Sequence, residues 1–241
     1  MRPADTTLRR HSSNNESAPG KADHLQGDLD SLLRQLGSDN ADQATLFLPP
    51  EVSAANGRDL KSFLTYYHTH FLLPLDLPVV AQAHAYAVQG HVRELIALDQ
   101  KLAQEKSFAP FAAASRRAGK AQMARLKPLR DNRTVQRYLA AIDAGQAQGW
   151  HMVAFGLTLA VYSLPLRQGL VHYATETLGG FADAVGRSRQ IPLVESEAVL
   201  QEVLGQLPVG VEQAVKSVSS AFGVQPLGCA GGNSLTKLGT A

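Results

Sequence analysis

Between Leu25 and Val224 apolar residues recur every three or four positions, and no stretch sustains a two-residue alternation. That periodicity predicts amphipathic helices and no sheet. A short helix is expected near Asp28–Leu36, ended by Gly37, and Pro49–Pro50 keep the residues before them out of a helix. The next begins at the cap-type residues Asn56–Asp59 and runs through KSFLTYYHTHFLL to an expected stop at Pro74. Pro78 opens VVAQAHAYAV, which Gly90 closes. HVRELIALDQKLAQEK is the cleanest amphipathic segment. Val92, Leu95, Ile96, Leu102 and Ala103 share one face, and Arg93, Glu94, Gln100, Lys101 and Gln104 populate the other. Further helices are predicted over Pro110–Lys127, Arg133–Gln146, Trp150–Leu164, Pro165–Arg187, Glu195–Gln206 and Pro208–Phe222. Short connections make successive helices packing neighbours, so the fold class is all-α, a single bundle of about nine to ten helices.

The stretch Gly149–Leu166, GWHMVAFGLTLAVYSLPL, is apolar on every side of a helical wheel. It falls short of the roughly 20 residues a bilayer span needs, and Pro165 stops it. It is therefore expected as a central helix buried on all faces. Residues 1–24 are polar and are expected as a disordered tail, residues 25–224 as the helical domain, and the Gly- and Ser-rich residues 225–241 as a flexible tail.

Composition narrows the function classes. Of 241 residues, 44% are hydrophobic and 18% charged, which are globular values. A net charge of +2 gives no global electrostatic case for nucleic acid or membrane. A single cysteine, Cys229, excludes an intramolecular disulfide framework and a Cys-based zinc site. Arg2, Arg9 and Arg10 precede no apolar stretch, so no secretory signal is read and the cytoplasm is the expected compartment.

Chemistry-bearing patterns are few. His68 and His70 form an HxH pair, but residues two apart on an α-helix point roughly 200° apart and cannot share an ion. His84 and His91 are separated by Gly90, and His172 with Glu176 has the four-residue spacing of an ordinary side-chain pair, with no third ligand close in sequence. Cys229 lies in a Gly-rich segment away from any helix start that would activate a thiol. Gly179–Gly180 is expected to permit close helix packing, and Asp183, Glu195 and Glu197 have no two-acid spacing. Nucleophile-elbow, phosphate-loop and dinucleotide motifs are absent from the sequence. No catalytic, cofactor-binding or metal-ligating residue is therefore assigned, and an enzyme is not expected. Arg116, Arg117, Lys120, Arg125, Lys127, Arg130, Arg133 and Arg137 form one basic cluster, with Asp131 the only acid among them. It lacks the aromatics that single-strand binders stack on bases, which favours a solvated face or a protein contact over a polyanion site.

Taken in order, several segments resemble the urease accessory protein UreF family. The resemblance begins in RDLKSFLTYYHTHFLLPLDLPVVAQAHAYAV, where Asp76, Leu77 and Pro78 hold the places of a "DLPL"-like linker. It continues through ELIALDQKL and through ASRRAGKAQMARL, where Ser115, Gly119 and Lys120 fill motif places. VAFGLTLAVYSLPL resembles the family's "VAFG…LGLPL" helix, and IPL at Ile191–Leu193 its "[VI]PLGQ" turn, with Val194 and Glu195 in place of Gly and Gln. Coverage is about Arg58 to Gln206. The family's Gly-rich "PxGxFxHSxGLE"-like run is replaced by GSDNADQATLFLPPEVSAANG, and its "SMRHETQ"-like tail by GCAGGNSLTKLGTA.

The resemblance implies a dimeric, non-enzymatic chaperone that bridges a UreD/UreH-type scaffold protein and the GTPase UreG. Such proteins help deliver Ni²⁺ to apo-urease, with the nickel handled by the complex and no cofactor bound by this chain. The replaced terminal segments leave a second reading, a helical protein–protein adaptor that kept the core and lost urease maturation. A third, a polyanion binder acting through the Arg116–Arg137 cluster, rests on charge alone.

Overall fold

The computed structural model describes residues 57–106 and 109–222. The expected Asp28–Leu36 helix, both tails and Cys229 lie outside the described residues. Those described are helical: α1 (Gly57–Tyr67), a π-helical segment (His68–Asp76), α2 (Leu77–Val88), α3 (Val92–Leu102), α4 (Ala109–Leu126), α5 (Arg133–Asp143), α6 (His151–Val161), α7 (Leu166–Arg189), α8 (Leu193–Leu204) and α9 (Leu207–Phe222). No strand occurs among the described residues.

The expected stop at Pro74 is overturned. The chain passes through Pro74 inside the π segment, and the Leu77 N–H donates to the Leu72 carbonyl, five residues back. A proline lacks the N–H that an α-helix interior would use, and a wider turn re-forms the ladder around the gap. Residues Leu60–Val88 are consequently one run of 29 residues, long and apolar enough to span a membrane by length and composition. Half of its most apolar window is buried against other helices, the usual state of a core helix. The segment that sequence singled out, α6, spans 11 residues.

α6 is the centre of the fold. His151 to Leu159 are all buried, because this helix is covered by α2 on one side and α4 on another, with α3 also in contact. α9 lies on α2 and α7, and α1 is covered by α7 and α8. An aromatic group joins these layers: the Tyr67 ring lies 4.7 Å from Phe181 of α7 and 5.0 Å from Phe111 of α4, with Phe71 5.1 Å from Phe111. Such edge-to-face and tilted pairs add to the area they bury.

Backbone-to-backbone approach is set by Gly156 and Gly119, and Gly179 of the expected Gly179–Gly180 pair takes no part in it. A Cβ on Gly156 would overlap the Val80 carbonyl oxygen and lie 2.8 Å from the Ala83 Cβ. One on Gly119 would overlap the Gly149 carbonyl oxygen, whereas one on Gly179 would meet only the Leu200 Cδ2, at 3.9 Å. Helix propensity alone would make Gly156→Ala stabilising by about 1 kcal/mol. The overlap reverses the sign, and we expect a net loss of about 2 kcal/mol or more in urea unfolding. A neutral or stabilising Gly156→Ala would show that α2 and α6 do not pack backbone to backbone.

The amphipathic reading of α3 also needs one change. Leu98 and Asp99 join Val92, Leu95 and Leu102 inside, and Ala103 is exposed beyond the helix end. α6 closes three residues before Leu164 through Ser163, whose φ is 53°, and α7 runs on to Arg189, where Gln190 at φ 56° turns the chain. α8 starts at Leu193, two residues ahead of the expected Glu195.

Candidate functional site

Two buried carboxylates organise the polar interior. Asp99 sits on the last turn of α3 with its side chain fully buried against the chain entering α6. Its carboxylate accepts the Tyr138 hydroxyl at 2.6 Å, the Gly149 N–H at 3.0 Å and the Trp150 N–H at 3.2 Å, and also the Gln148 N–H. The Trp150 indole N–H returns to the Asp99 carbonyl at 3.0 Å. One carboxylate thus satisfies three consecutive N–H groups of the chain leading into α6, while the His151 N–H that opens the helix goes to Ser115 Oγ. Burial, reinforced by the neighbouring Asp99, pushes the Tyr138 hydroxyl well above its ordinary pKa.

Some of the residues that carry the family resemblance meet at this junction. Ser115 of α4 accepts the His151 N–H at 3.2 Å, Gly119 fits under the Gly149–Trp150 backbone, and Arg116 lies 5.5 Å above the Trp150 ring. Gly156 of the "VAFG" element seats α6 on α2. These motif positions shape the core.

Asp76, the second carboxylate, ends the π segment and is also fully buried. Its Oδ2 accepts the Tyr67 hydroxyl at 2.8 Å and the Tyr173 hydroxyl at 3.5 Å, while Oδ1 has no partner. Burial pushes this carboxyl up to about 7 against the opposing pull of the two hydroxyls. His151 stacks on Tyr173 at 5.3 Å, and burial holds it down to about 3, with its Nε2 unpartnered.

The remaining candidates are dispersed. His68 is buried with neither ring nitrogen paired, whereas His70 is exposed, stacked at 4.4 Å on Tyr66. His84 is half-buried and His91 is exposed at the start of α3. His172 lies 4.0 Å from Glu176 on α7. Asp183, Glu195 and Glu197 are exposed on α7 and α8. No group of three or more His, Cys, Asp or Glu placed to hold a metal occurs among the described residues. The basic cluster is divided: Arg116 is tied to Gln148 and Trp150, while Lys120 and Lys127 line a groove of about 400 Å³ against α5. Arg133 and Arg137 are exposed on α5.

Among the described residues, the most exposed large apolar side chains are neighbours. Leu193 is 73% and Val194 81% exposed at the start of α8, beside a hollow lined by Asp183, Gly186, Gln190, Ile191 and Ser196. Adjacent exposed apolar side chains offer a small contact surface at this corner. Sequence reasoning noted IPL here only as a turn.

The family model described as UreF matches residues 54–203 of the chain. It spans α1 and reaches Val203, the penultimate residue of α8, and excludes α9. No curated protein matches the chain.

Proposed function

The chain belongs to the UreF family of urease accessory proteins, and from that premise we propose that it acts as a non-enzymatic scaffold in nickel insertion into apo-urease. In this reading it bridges a UreD/UreH-type protein and a UreG-type GTPase in the cytoplasm, as a homodimer. Nickel is cargo of the assembled complex, and the GTPase performs the hydrolysis. The observation that supports it is the family match over residues 54–203, within which Asp99, Ser115 and Gly119 of the resembling segments pack together at the α3–α4–α6 junction. A scaffold works through surfaces displayed on such a core.

The test is deletion of this chain in its native host followed by nickel-dependent urease activity, together with co-purification of the UreD/UreH-type partner. Loss of activity that returns with the intact chain supports the proposal. Unchanged urease nickel loading and no co-purification overturn it in favour of the adaptor reading, which the replaced segments outside residues 54–203 favour. Within the scaffold reading, Leu193→Asp with Val194→Asp is expected to leave thermal unfolding within about 0.5 kcal/mol of the parent, as for exposed sites. The same pair should weaken partner co-purification at least tenfold. Undiminished pull-down would remove the α8 corner from the interface.

A further inference from the structure

α4 and α5 leave the turn at Pro128 onto different supports, α4 against α6 and α5 against α3. The Gln136 side chain fixes that turn by donating to the Leu129 carbonyl at 3.0 Å and the Lys127 carbonyl at 3.4 Å. Between the two helices runs a groove of about 400 Å³. Its floor is apolar: Met123 is buried, and Leu139 and Ile142 are half-buried. α4 presents Lys120, Ala124 and Lys127 along one wall, and α5 presents Gln136, Ala140 and Asp143 along the other. Four-then-three spacing makes each set one stripe about two turns long. The exposed alanines at mid-length leave the groove open above its floor.

The rim of this groove is cationic and uncompensated. Between Arg116 and Asp143 only Asp131 and Asp143 are acidic. Lys120, Lys127, Arg133 and Arg137 are exposed and make no ion pair with any described residue. By contrast, Lys61 and Arg167 are paired with Glu202 and Glu212. The occupant that fits is apolar along one side and acidic along its edges. Residues 23–42, which lie outside the described residues and ahead of the family match, have that composition. Asp23, Asp28, Asp30, Asp39 and Asp42 stand against the single base Arg34. Leu29, Leu32, Leu33 and Leu36 of the expected Asp28–Leu36 helix recur at the spacing of one apolar stripe.

We infer that residues 23–42 dock in the α4–α5 groove of their own chain, leucines over Met123 and Ile142 and carboxylates against Lys120, Lys127, Arg133 and Arg137. The tether is long enough. Gly57 to Tyr67 is about 15 Å of helix and Phe111 to Lys120 about 14 Å, and the Tyr67 and Phe111 rings between them are 5.0 Å apart. With those two side chains the steps come to about 40 Å, and residues 43–56 extend to about 46 Å. Tethering also raises the local concentration of the segment, so individually weak surface contacts suffice to hold it. The docking joins two features of this chain and holds whether or not it serves a urease complex.

Carbodiimide coupling of the full chain joins amines to carboxylates in contact, and mass spectrometry maps the links. Lys120 and Lys127 should link to aspartates of residues 23–42 well above the level at the exposed Lys101 and Lys216. Arg133→Glu with Arg137→Glu leaves both reactive lysines in place and should cut those links about fivefold or more. Leu32→Ser with Leu33→Ser keeps every charge and should cut them as far, because the seat is apolar as well as charged. An equilibrated mixture of ¹⁴N and ¹⁵N protein separates links within one chain from links between two. The inference is overturned by links no more frequent than at Lys101 and Lys216, or by links that survive either double variant. Links mainly between chains overturn it in favour of a second copy as occupant. Absence of links at both lysines overturns it as well, and leaves the groove to a separate acidic protein.

Discussion

Asp99→Ala is expected to lower unfolding free energy by about 4 kcal/mol or more, and to deplete the folded protein in cells. The carboxylate accepts from the Tyr138 hydroxyl and three consecutive backbone N–H groups at the mouth of α6, and it is fully buried. Alanine leaves those donors without acceptors, at about 1–3 kcal/mol for each one kept from water. The total rivals the 5–15 kcal/mol of a typical domain. Asp99→Asn keeps the shape and one acceptor oxygen but turns an NH₂ toward N–H donors, so an intermediate loss is expected. Urea unfolding of the two variants is the check. A loss under about 1 kcal/mol for alanine would mean that water enters the junction and that Asp99 does not organise the α6 entrance.

The helices were legible in the chain because their apolar spacing and Pro/Gly punctuation are local signals. α6 was readable as a buried centre because it is apolar all round, and its packing is confirmed by burial of His151 to Leu159. Asp99 could have been found: it falls seven residues after Val92 and four after Leu95, on the apolar stripe itself. A carboxylate on that stripe signals a buried anion with donors to meet, but its partners lie about 50 positions away and leave no local trace. Asp76 was harder to read. Assuming α-helical geometry sets Tyr67 and Asp76 on opposite faces, and only the π winding that carries the chain through Pro74 brings them together. Gly156 and Gly119 stood inside the quoted motifs, yet their reason, a neighbouring backbone with no room for a methyl, belongs to tertiary structure. The α8 corner was missed because exposure cannot be inferred from two apolar letters.

Asp76 and His151 are expected to drive stability in opposite directions with pH, so that removing one unmasks the other. Asp76 is raised from 3.8 to about 7, so the folded protein holds its proton more tightly than the unfolded chain does. Its stabilising contribution is complete below about pH 4 and is lost as pH rises toward 7, at about 1.4 kcal/mol per pH unit in between. His151 is lowered from 6.5 to about 3, so the unfolded chain takes up the proton first. Its contribution is complete above about pH 6.5 and is lost as pH falls toward 3, at the same slope of about 1.4 kcal/mol per unit. Between about pH 4 and 6.5 the two slopes nearly cancel. His68 and His84, also lowered by burial, tilt the remainder toward loss in acid. Asp76→Asn should therefore turn a shallow profile into one that rises by about 3 kcal/mol from pH 4 to 6.5. His151→Gln should shift the slope the other way, toward stability that falls with rising pH. Urea midpoints at half-unit pH steps read both slopes. Profiles parallel to the wild type in both variants would mean that neither group keeps a shifted proton affinity in the fold, and that water reaches the Asp76–Tyr173–His151 interior.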